Sequence, residues 1–324
     1  MTSPFSDLTP DRLMDAIDAQ GLLCDGRVTP LNSYENRVFR VGQEAQSPLI
    51  AKFYRPGRWS AAQILEEHHF SQQLVDAGVP VVAPQAHRGH TLFEHDGFLF
   101  ALFPVVPGSS PDLDDDDTLY ELGRHLGRLH HCGSQQNYLQ RPPLDAPQRA
   151  RDAADWLLRH AVPKAEQARF QKLCAQLVES IDRAWQEHPF TSLRLHGDSH
   201  RGNLLARDDQ YWLVDLDDSC DGPAIQDLWL LLDGDRDRQR QQLLSLLDGY
   251  QEEFDFERRQ LALIEPLRAA RMLHHTAWVG QRWDDPAFPR AFPWYGQPHF
   301  WPEQCLALAQ QLERMQQPPL SLPG

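Results

Sequence analysis

Apolar side chains recur at helical spacing in two segments near the start of the chain. Residues 11–19 place Leu13 and Ile17 on one face, and residues 60–78 carry a longer apolar stripe that ends at Gly78. The inward positions predicted for the second segment are Ile64, Leu65, Phe70, Leu74 and Val75. The pattern therefore predicts a short helix and, after an interval, a longer amphipathic helix.

Four other segments of the same region are typical of strands. Residues 35–42 and 48–56 alternate apolar with polar positions and are separated by the turn-prone residues 42–48, and residues 81–88 and 96–106 follow. We interpret the first pair as a β-hairpin and the other two as further strands. The amino-terminal part of the chain is thus predicted to form a small sheet with one main helix.

The composition changes abruptly after Gly108, where residues 109–117 are acidic and turn-rich. Helical spacing then dominates, and one strand-like island at residues 193–216 interrupts it. The predicted helices cover residues 118–133, 152–160 and 165–188. We therefore divide the chain into an amino-terminal nucleotide-binding lobe, residues 1–106, and a mainly helical carboxy-terminal lobe, residues 107–324.

Composition narrows the classes of protein to which the chain could belong. The chain has 324 residues, of which 41% are hydrophobic and 24% charged, and its net charge of −15 at pH 7 opposes binding to nucleic acid. The five cysteines are widely spaced and form no CxxC pair, which argues against a disulfide framework and a zinc site. No apolar run is long enough to cross a membrane. We expect a cytoplasmic monomer.

The strongest chemical signal lies in the strand-like island. The tripeptide HGD ends at Asp198, Asn203 follows five residues later, and Asp215 ends a strand in LVDLDD. Phosphoryl transfer needs an Asp that orients the attacking hydroxyl, and hard oxygen ligands for a Mg²⁺ ion that bridges the nucleotide phosphates. We therefore predict a kinase-like loop in which Asp198 and Asp215 are catalytic and Asn203 and Asp215 hold Mg²⁺. Asp217 is a further candidate metal ligand, and a plain polar turn is the alternative.

The same residues resemble a known enzyme family. HGDxxxxN followed by VDLDD is similar to the aminoglycoside phosphotransferase and choline kinase branch of the protein-kinase-like fold. Stretches from residues 29–39 to residues 283–294 closely resemble a group of bacterial stress-response kinases within that branch. The resemblance implies an α+β fold with two lobes, and an ATP- and Mg²⁺-dependent serine/threonine protein kinase that acts in a bacterial stress response. One position departs from typical protein kinases, which have Arg where Gly197 stands.

Lys52 is a further candidate functional residue, because a single charged side chain is unusual in an apolar strand. In a kinase-like lobe it would neutralise phosphate oxygens and pair with a carboxylate of the following helix. Glu66 and Glu67 lie about one turn into that helix, and only one of them can face the strand. The resemblance and the spacing favour Glu67. The alternative is that Lys52 extends to solvent at a sheet edge.

The nucleotide-binding loop has no GxGxxG motif, although glycines usually let backbone N–H groups approach a phosphate. By position, residues 31–37 should cover the phosphates, with Ser33 contacting ATP, and a plain polar turn is an equal alternative. The segment after the last strand would be the hinge between the lobes. There, backbone groups from Phe103 to Val105 would meet the adenine.

Other polar and aromatic residues are assigned to support of the fold. Asp227 is expected to accept hydrogen bonds from the catalytic-loop backbone and His196, although a helix-start Asp would also suit the helix dipole. The His-His pairs at 68–69, 130–131 and 274–275 are interpreted as helix surfaces rather than metal sites. The tryptophan-rich residues 278–301 are interpreted as a wrap over the helical lobe, with a partner-binding surface as the alternative.

The predicted reaction is phosphate transfer from ATP to a Ser or Thr hydroxyl of a protein. One alternative keeps the fold and changes the acceptor to an amino alcohol, an amino sugar or homoserine, since acidic residues would suit a cationic metabolite. Another is a pseudokinase scaffold that binds a partner through its tryptophan-rich segment. The joint presence of Lys52, Asp198, Asn203 and Asp215 argues against the pseudokinase.

Overall fold

The amino-terminal lobe is built on an antiparallel sheet, seen in a computed structural model that describes residues 4–44 and 46–322. Its five strands follow the order β1-β2-β3-β5-β4. The strands are β1 Cys24–Pro30, β2 Arg37–Gln43, β3 Gln46–Phe53, β4 Phe93–His95 and β5 Phe98–Pro104. The helices of this lobe are α1 Pro10–Asp18 and α2 Ala61–Asp76. Ala45, in the predicted hairpin turn, lies outside the described residues.

The two faces of this sheet have different neighbours. Leu13 and Ile17 of α1 are buried in one apolar cluster with Phe53 and Phe100, whose rings stack at 5.0 Å. Because successive side chains of a strand point to opposite faces, Lys52 lies on the other side, towards α2. The alternation within β3 therefore places the lone lysine between the sheet and the main helix.

The carboxy-terminal lobe is mainly helical. Helix α3 packs along α7, and α4 lies against α5 and α8. The helices are α3 Asp116–Gly133, α4 Ala146–His160, α5 Lys164–Glu187, α6 Ile225–Trp229, α7 Arg236–Tyr250, α8 Ile264–Gln281, α9 Ala287–Ala291 and α10 Phe300–Met315. Two short antiparallel pairs, β6 Leu193–Arg194 with β9 Asp221–Gly222 and β7 Leu204–Arg207 with β8 Gln210–Leu213, carry the predicted catalytic loop.

The α+β arrangement with two lobes is confirmed. One strand was missed, and two local predictions are wrong. Strand β1 was not predicted, because it is an irregular edge strand with a glycine, a proline and a shifted register. Residues 81–88 are not a strand; there, backbone N–H of Val82 bonds to Leu213 instead, at 2.9 Å. Leu65 and Val75 face solvent, with 47% and 42% of their surface exposed.

The lobes meet along the β7–β8 hairpin. Ser109, just after the connection between the lobes, exchanges backbone hydrogen bonds with Ala206 of β7 at 2.7 and 3.1 Å. Backbone N–H of Leu213 in β8 donates to the carbonyl oxygen of Pro80 at 2.8 Å. The main core of the larger lobe also takes in Phe70 and Leu74 of α2. The division at residue 106 stays a prediction, and the hairpin with the predicted site lies at the junction.

The tight packing of α3 on α7 generates a stability prediction. A Cβ atom on Gly123 would collide with the carbonyl oxygen of Leu246, so Gly123→Ala should lower the free energy of unfolding by about 1–3 kcal/mol. Urea denaturation measures this change. Lys172→Ala, at an exposed position of α5, is the control and should change stability by less than about 0.5 kcal/mol. Equal midpoints for the two variants would contradict the close approach.

Candidate active site

A buried carboxylate holds the predicted catalytic loop in place. Asp227 on α6 accepts hydrogen bonds from backbone N–H of His196 at 2.7 Å and of Gly197 at 2.8 Å. The ring of His130 bonds to the same carboxylate at 3.0 Å, and the Ser199 hydroxyl donates to the Asp227 carbonyl at 2.6 Å. Although burial opposes its charge, these donors, led by His130, keep the pKa of Asp227 below its usual value. The expected contact with the catalytic loop is confirmed.

Gly197 has a structural reason to replace the arginine of typical protein kinases. Its φ of +85° lies in the left-handed region, where glycine is favoured. A Cβ atom at this position would also collide with the carbonyl oxygen of Asp218. The backbone of the catalytic loop can therefore lie directly against the segment that follows Asp215.

The hairpin brings Asn203 and Asp215 together. Leu204 pairs with Leu213, and backbone N–H of Val214 donates to the carbonyl of Asn203 at 3.0 Å. The side-chain amide of Asn203 donates to the carbonyl of Asp198 at 2.9 Å. Asp198, Asn203 and Asp215, which the sequence predicted as one site, are thus held on one side of the lobe junction.

Asp215 has an uncommon backbone conformation. Its φ of 63° and ψ of 67° are left-handed, which costs about 1–3 kcal/mol for a residue with a side chain. Its Oδ1 atom accepts a hydrogen bond from Lys52 Nζ at 2.6 Å, and 48% of its side chain is exposed. The carboxylate therefore has a further oxygen for a ligand. Strain of this kind concentrates at functional sites.

Lys52 lies between carboxylates of both lobes. Its Nζ atom is 2.6 Å from Asp215 and 3.4 Å from Asp217, and only 7% of its side chain is exposed. Burial opposes its charge, but the two aspartates raise the pKa of Lys52 above its usual value. Among the described residues, its ion pairs within 4.0 Å are to these two aspartates.

The neighbouring glutamates of α2 have different surroundings. Glu66 accepts hydrogen bonds from the backbone of residues 139–141 and so anchors that loop. Glu67 is buried near Lys52, and its Oε1 atom accepts a hydrogen bond from Ser71 at 3.0 Å. Burial raises the pKa of Glu67, while the charge of Lys52 acts in the opposite direction. Of the two candidates, Glu67 is the one whose charge acts on Lys52.

Asp217 is surrounded by cationic and amide donors. Arg58 reaches Asp217 Oδ2 at 2.5 Å and Asp218 Oδ1 at 2.5 Å, and Asn36 donates to Asp217 Oδ2 at 3.1 Å. Despite burial, Arg58 and Lys52 hold the pKa of Asp217 well below its usual range. Its role as a metal ligand stays a prediction.

Ion pairs join the loop predicted to cover the nucleotide to residues 282–285, which follow α8. This set of ion pairs is here called the lobe clamp, and it comprises Glu35, Arg37, Arg55, Arg282 and Asp285. Asp285 accepts hydrogen bonds from Arg37 at 2.8 and 2.9 Å and from Arg55 at 2.8 Å, with 2% of its side chain exposed. Glu35 pairs with Arg282 at 2.6 Å. The tryptophan-rich segment thus reaches the amino-terminal lobe as well as the helical one.

The other predicted nucleotide-binding residues lie round the same junction. Ser33 shapes its loop, because its hydroxyl oxygen accepts a hydrogen bond from backbone N–H of Val38 at 3.1 Å. Phe103 lies one residue before the end of β5, opposite Ile50, and Val105 follows the strand in the connection between the lobes. Their contacts with ATP stay predictions.

The donor chemistry at the hairpin fits Mg²⁺. Asn203 uses its amide N–H₂ towards Asp198, which leaves its carbonyl oxygen available, and Asp215 retains a carboxylate oxygen. Magnesium is commonly held by one or two protein oxygens, with water and substrate phosphates as its other ligands. No group of three His, Cys, Asp or Glu side chains suited to a metal occurs in residues 4–44 and 46–322. Asn203 and Asp215 are thus the pair that would hold the ion.

Several supporting residues were missed by sequence reasoning. The interpretation of the His-His pairs as helix surfaces is wrong for His68 and His130, which are buried. His68 bonds to the Tyr54 hydroxyl at 2.8 Å, and His130 braces Asp227. Asn36, Arg58 and Asp285 carried no local signal, because their partners are more than 150 residues away in the sequence.

The family of the chain follows from comparison with known proteins. A family model described as the phosphotransferase enzyme family matches residues 27–264. The chain belongs to this family and is a phosphotransferase. Of the described residues, no helix is long and apolar enough to cross a membrane.

Particular relatives narrow the comparison. Stress response kinase A of Escherichia coli O157:H7 is 45% identical over 324 residues, which cover 98% of this chain and 97% of that protein. Serine/threonine protein kinase RdoA of Salmonella typhimurium is 42% identical over 325 residues, with the same coverage of each chain.

Solved structures show the same fold at low sequence identity. An amicoumacin kinase in complex with AMP-PNP and Ca²⁺ has a TM-score of 0.76 and 18% identity, covering 96% of this chain and 95% of that one. A microcompartment-associated aminopropanol kinase has a TM-score of 0.71 and 19% identity, covering 92% and 98%.

The brace on the catalytic loop can be tested with Asp227→Asn. The asparagine amide has one acceptor oxygen, and its NH₂ group would face loop N–H groups that need an acceptor. We therefore expect a loss of about 2–4 kcal/mol in stability and a fall in kcat. Urea denaturation and turnover with ATP measure the two effects. Asp182→Asn, which removes a partly exposed ion pair with Arg151, should cost less than about 1 kcal/mol. Equal effects would argue against the brace.

The lobe clamp can be tested with Asp285→Asn. Loss of the buried carboxylate leaves Arg37 and Arg55 without their shared partner, so the loop over the nucleotide should become less ordered. We expect the KM for ATP to rise about fivefold to tenfold, which corresponds to roughly 1–1.4 kcal/mol. The neighbouring Asp284 is exposed, and Asp284→Asn should leave this KM unchanged. Identical KM values for both variants would show that the clamp does not order the loop.

Proposed function

We propose that this phosphotransferase is an ATP- and Mg²⁺-dependent serine/threonine protein kinase that acts in a bacterial stress response. The observation that carries the proposal is the 2.6 Å contact between Lys52 Nζ and Asp215 Oδ1, beside Asn203 and Asp198. This contact joins a phosphate-binding cation of one lobe to a metal-binding carboxylate of the other. The named relatives support a protein acceptor and a stress response.

In this proposal the nucleotide binds between the lobes. Asn203 and Asp215 would hold Mg²⁺, which would supply charge neutralisation for the nucleotide phosphates. Lys52 contacts phosphate oxygens, and Glu67 stabilises its charge. Asp217 is a further candidate for the metal. Ser33 contacts the phosphates, and the backbone from Phe103 to Val105 meets the adenine.

Asp198 positions the acceptor. Burial raises the pKa of its carboxyl group, although Arg271 acts in the opposite direction, and a higher pKa improves a carboxylate as a proton acceptor. The acceptor oxygen forms a bond to the γ-phosphorus as the bond to ADP breaks, and the hydroxyl proton passes to Asp198. The chemistry needs no other protein group to react.

The setting proposed for the enzyme is the cytoplasm, where ATP and Mg²⁺ are both available, and we propose that it acts as a monomer. The hairpin at the lobe junction supplies Asp198, Asn203 and Asp215 from one chain, and β3 of the same chain supplies Lys52. A single copy therefore contains every residue assigned to the reaction.

The proposed function is tested with Asp198→Ala. Removal of a positioned base should lower kcat by about 10²–10⁴-fold, while ATP binding persists because Lys52, Asn203 and Asp215 remain. Labelled ATP with Mg²⁺, a generic protein acceptor and a panel of amino alcohols measures both the rate and the class of acceptor. Asp208→Ala, in the exposed turn of the hairpin, is the control. Transfer at the normal rate by Asp198→Ala would exclude this mechanism, and exclusive use of amino alcohols would exclude a protein acceptor.

A further inference from the structure

The acceptor side of Asp198 carries an arginine. Arg271 on α8 lies with its Nη1 atom 2.8 Å from Asp198 Oδ1, and 38% of its side chain is exposed. A guanidinium group has five N–H donors. Among the described residues, Arg271 uses its side chain only towards Asp198. Most of its donors are therefore available to a molecule that approaches the carboxylate.

A second arginine lies on the helix that packs against α8. Arg149, in the first turn of α4, is half-buried, and its guanidinium group makes no hydrogen bond or ion pair to the residues that the structure describes. Arg58, by contrast, binds Asp217 and Asp218, and Arg282 binds Glu35. Arg149 is thus a charged group with unused donors.

The helices that carry Arg149 and Arg271 are neighbours. Backbone N–H of Leu144, just before α4, donates to the carbonyl of Asp221 at 2.7 Å, which fixes the start of α4 beside the segment that contains Asp218. Helices α4 and α8 pack together. Burial lowers the pKa of His274 on α8, the charges of Arg149 and Arg271 act in the same direction, and the charge of Asp218 opposes them.

The net charge of the whole protein does not decide which acceptor binds beside Asp198. Its net charge of −15 is spread over 324 residues, and charges more than about 8 Å away are largely screened at physiological salt. An acceptor that bears an ammonium group would meet Arg149 and Arg271 directly. An acceptor that bears a carboxylate would find charge-assisted donors there.

We infer that the acceptor hydroxyl of this phosphotransferase belongs to a Ser or Thr with an acidic side chain next to it, and that Arg149 and Arg271 bind that carboxylate. The inference rests on the proposed function and specifies its substrate class. The acidic side chain also draws Arg271 away from Asp198, which leaves the carboxylate free to accept the hydroxyl proton. Substrate binding and release of the base are then one event.

The test uses three Ser-containing peptides that differ only at the residues beside the Ser, which are Glu, Gln or Lys. The full-length protein with Mg²⁺ and ATP should use the Glu peptide about tenfold better than the Gln peptide in kcat/KM, mainly through KM, as expected for one charge-assisted contact. The Lys peptide should be the poorest. Glycerate, which has a hydroxyl and a carboxylate without a peptide, is tested beside them.

Variants of Arg149 then test the residue. Arg149→Gln should reduce the Glu-to-Gln ratio to below about threefold, and Arg149→Glu should shift the preference to the Lys peptide. Arg151→Gln is the matched control, because Arg151 is two residues along the same helix and pairs with Asp182 instead. The control should retain the tenfold ratio. A thermal melt checks that each variant is folded.

The outcomes separate this inference from the proposed function. Equal use of the three peptides, a preference for the Lys peptide, or an unchanged ratio in Arg149→Gln overturns the inference and leaves a protein kinase. Faster use of glycerate than of any peptide overturns the peptide assignment. No transfer to any peptide or protein rejects the proposed function, and the inference with it. The comparison of the three peptides with the wild-type protein can overturn the inference by itself, even if the variants do not fold.

Discussion

Compensation of buried charge at the lobe junction is the constraint on which the rest of the structure depends. Lys52 and Asp215 are 163 residues apart in the chain and meet at 2.6 Å. The Lys52 charge could not be placed there alone, because its side chain is buried and a buried ion without a partner costs several kcal/mol. Arg58 and Asp217 extend the same balance at 2.5 Å. The two lobes can therefore close on each other only where opposite charges meet.

The rigid part of the site is built from backbone as much as from side chains. Asp227 collects N–H groups of His196 and Gly197, and the hairpin joins Asn203 to Val214. These contacts fix the backbone near Asp198 and Asp215, whose side chains remain partly exposed. Support of this kind suits catalysis, since the reactive groups are held in place while they stay open to ligands. The lobe clamp extends that order to the loop of residues 31–37.

The acidic composition and the arginines of the cleft have separate roles. The negative charge of the chain opposes binding of polyanions, whereas Arg149 and Arg271 act only within the short distance over which charges are unscreened. Arg271 lies 2.8 Å from Asp198, and Lys52 lies 2.6 Å from Asp215. Cations at the lobe junction are thus placed beside individual carboxylates.

Local sequence determined most of the elements and marked the candidate chemical residues of this protein. Spacing of 3.6 or 2 residues predicted most helices and the hairpins, and HGDxxxxN followed by LVDLDD predicted Asp198, Asn203 and Asp215 as one site. Tertiary structure alone decided that β1 joins the sheet edge, that residues 81–88 bond to the hairpin, and that His130 braces Asp227. It also decided that Asp285 holds Arg37 and that the Arg149 side chain has no hydrogen bond or ion pair among the described residues. The physical reason is distance: periodicity reports on neighbours in sequence, whereas charges and hydrogen bonds find partners across the folded chain.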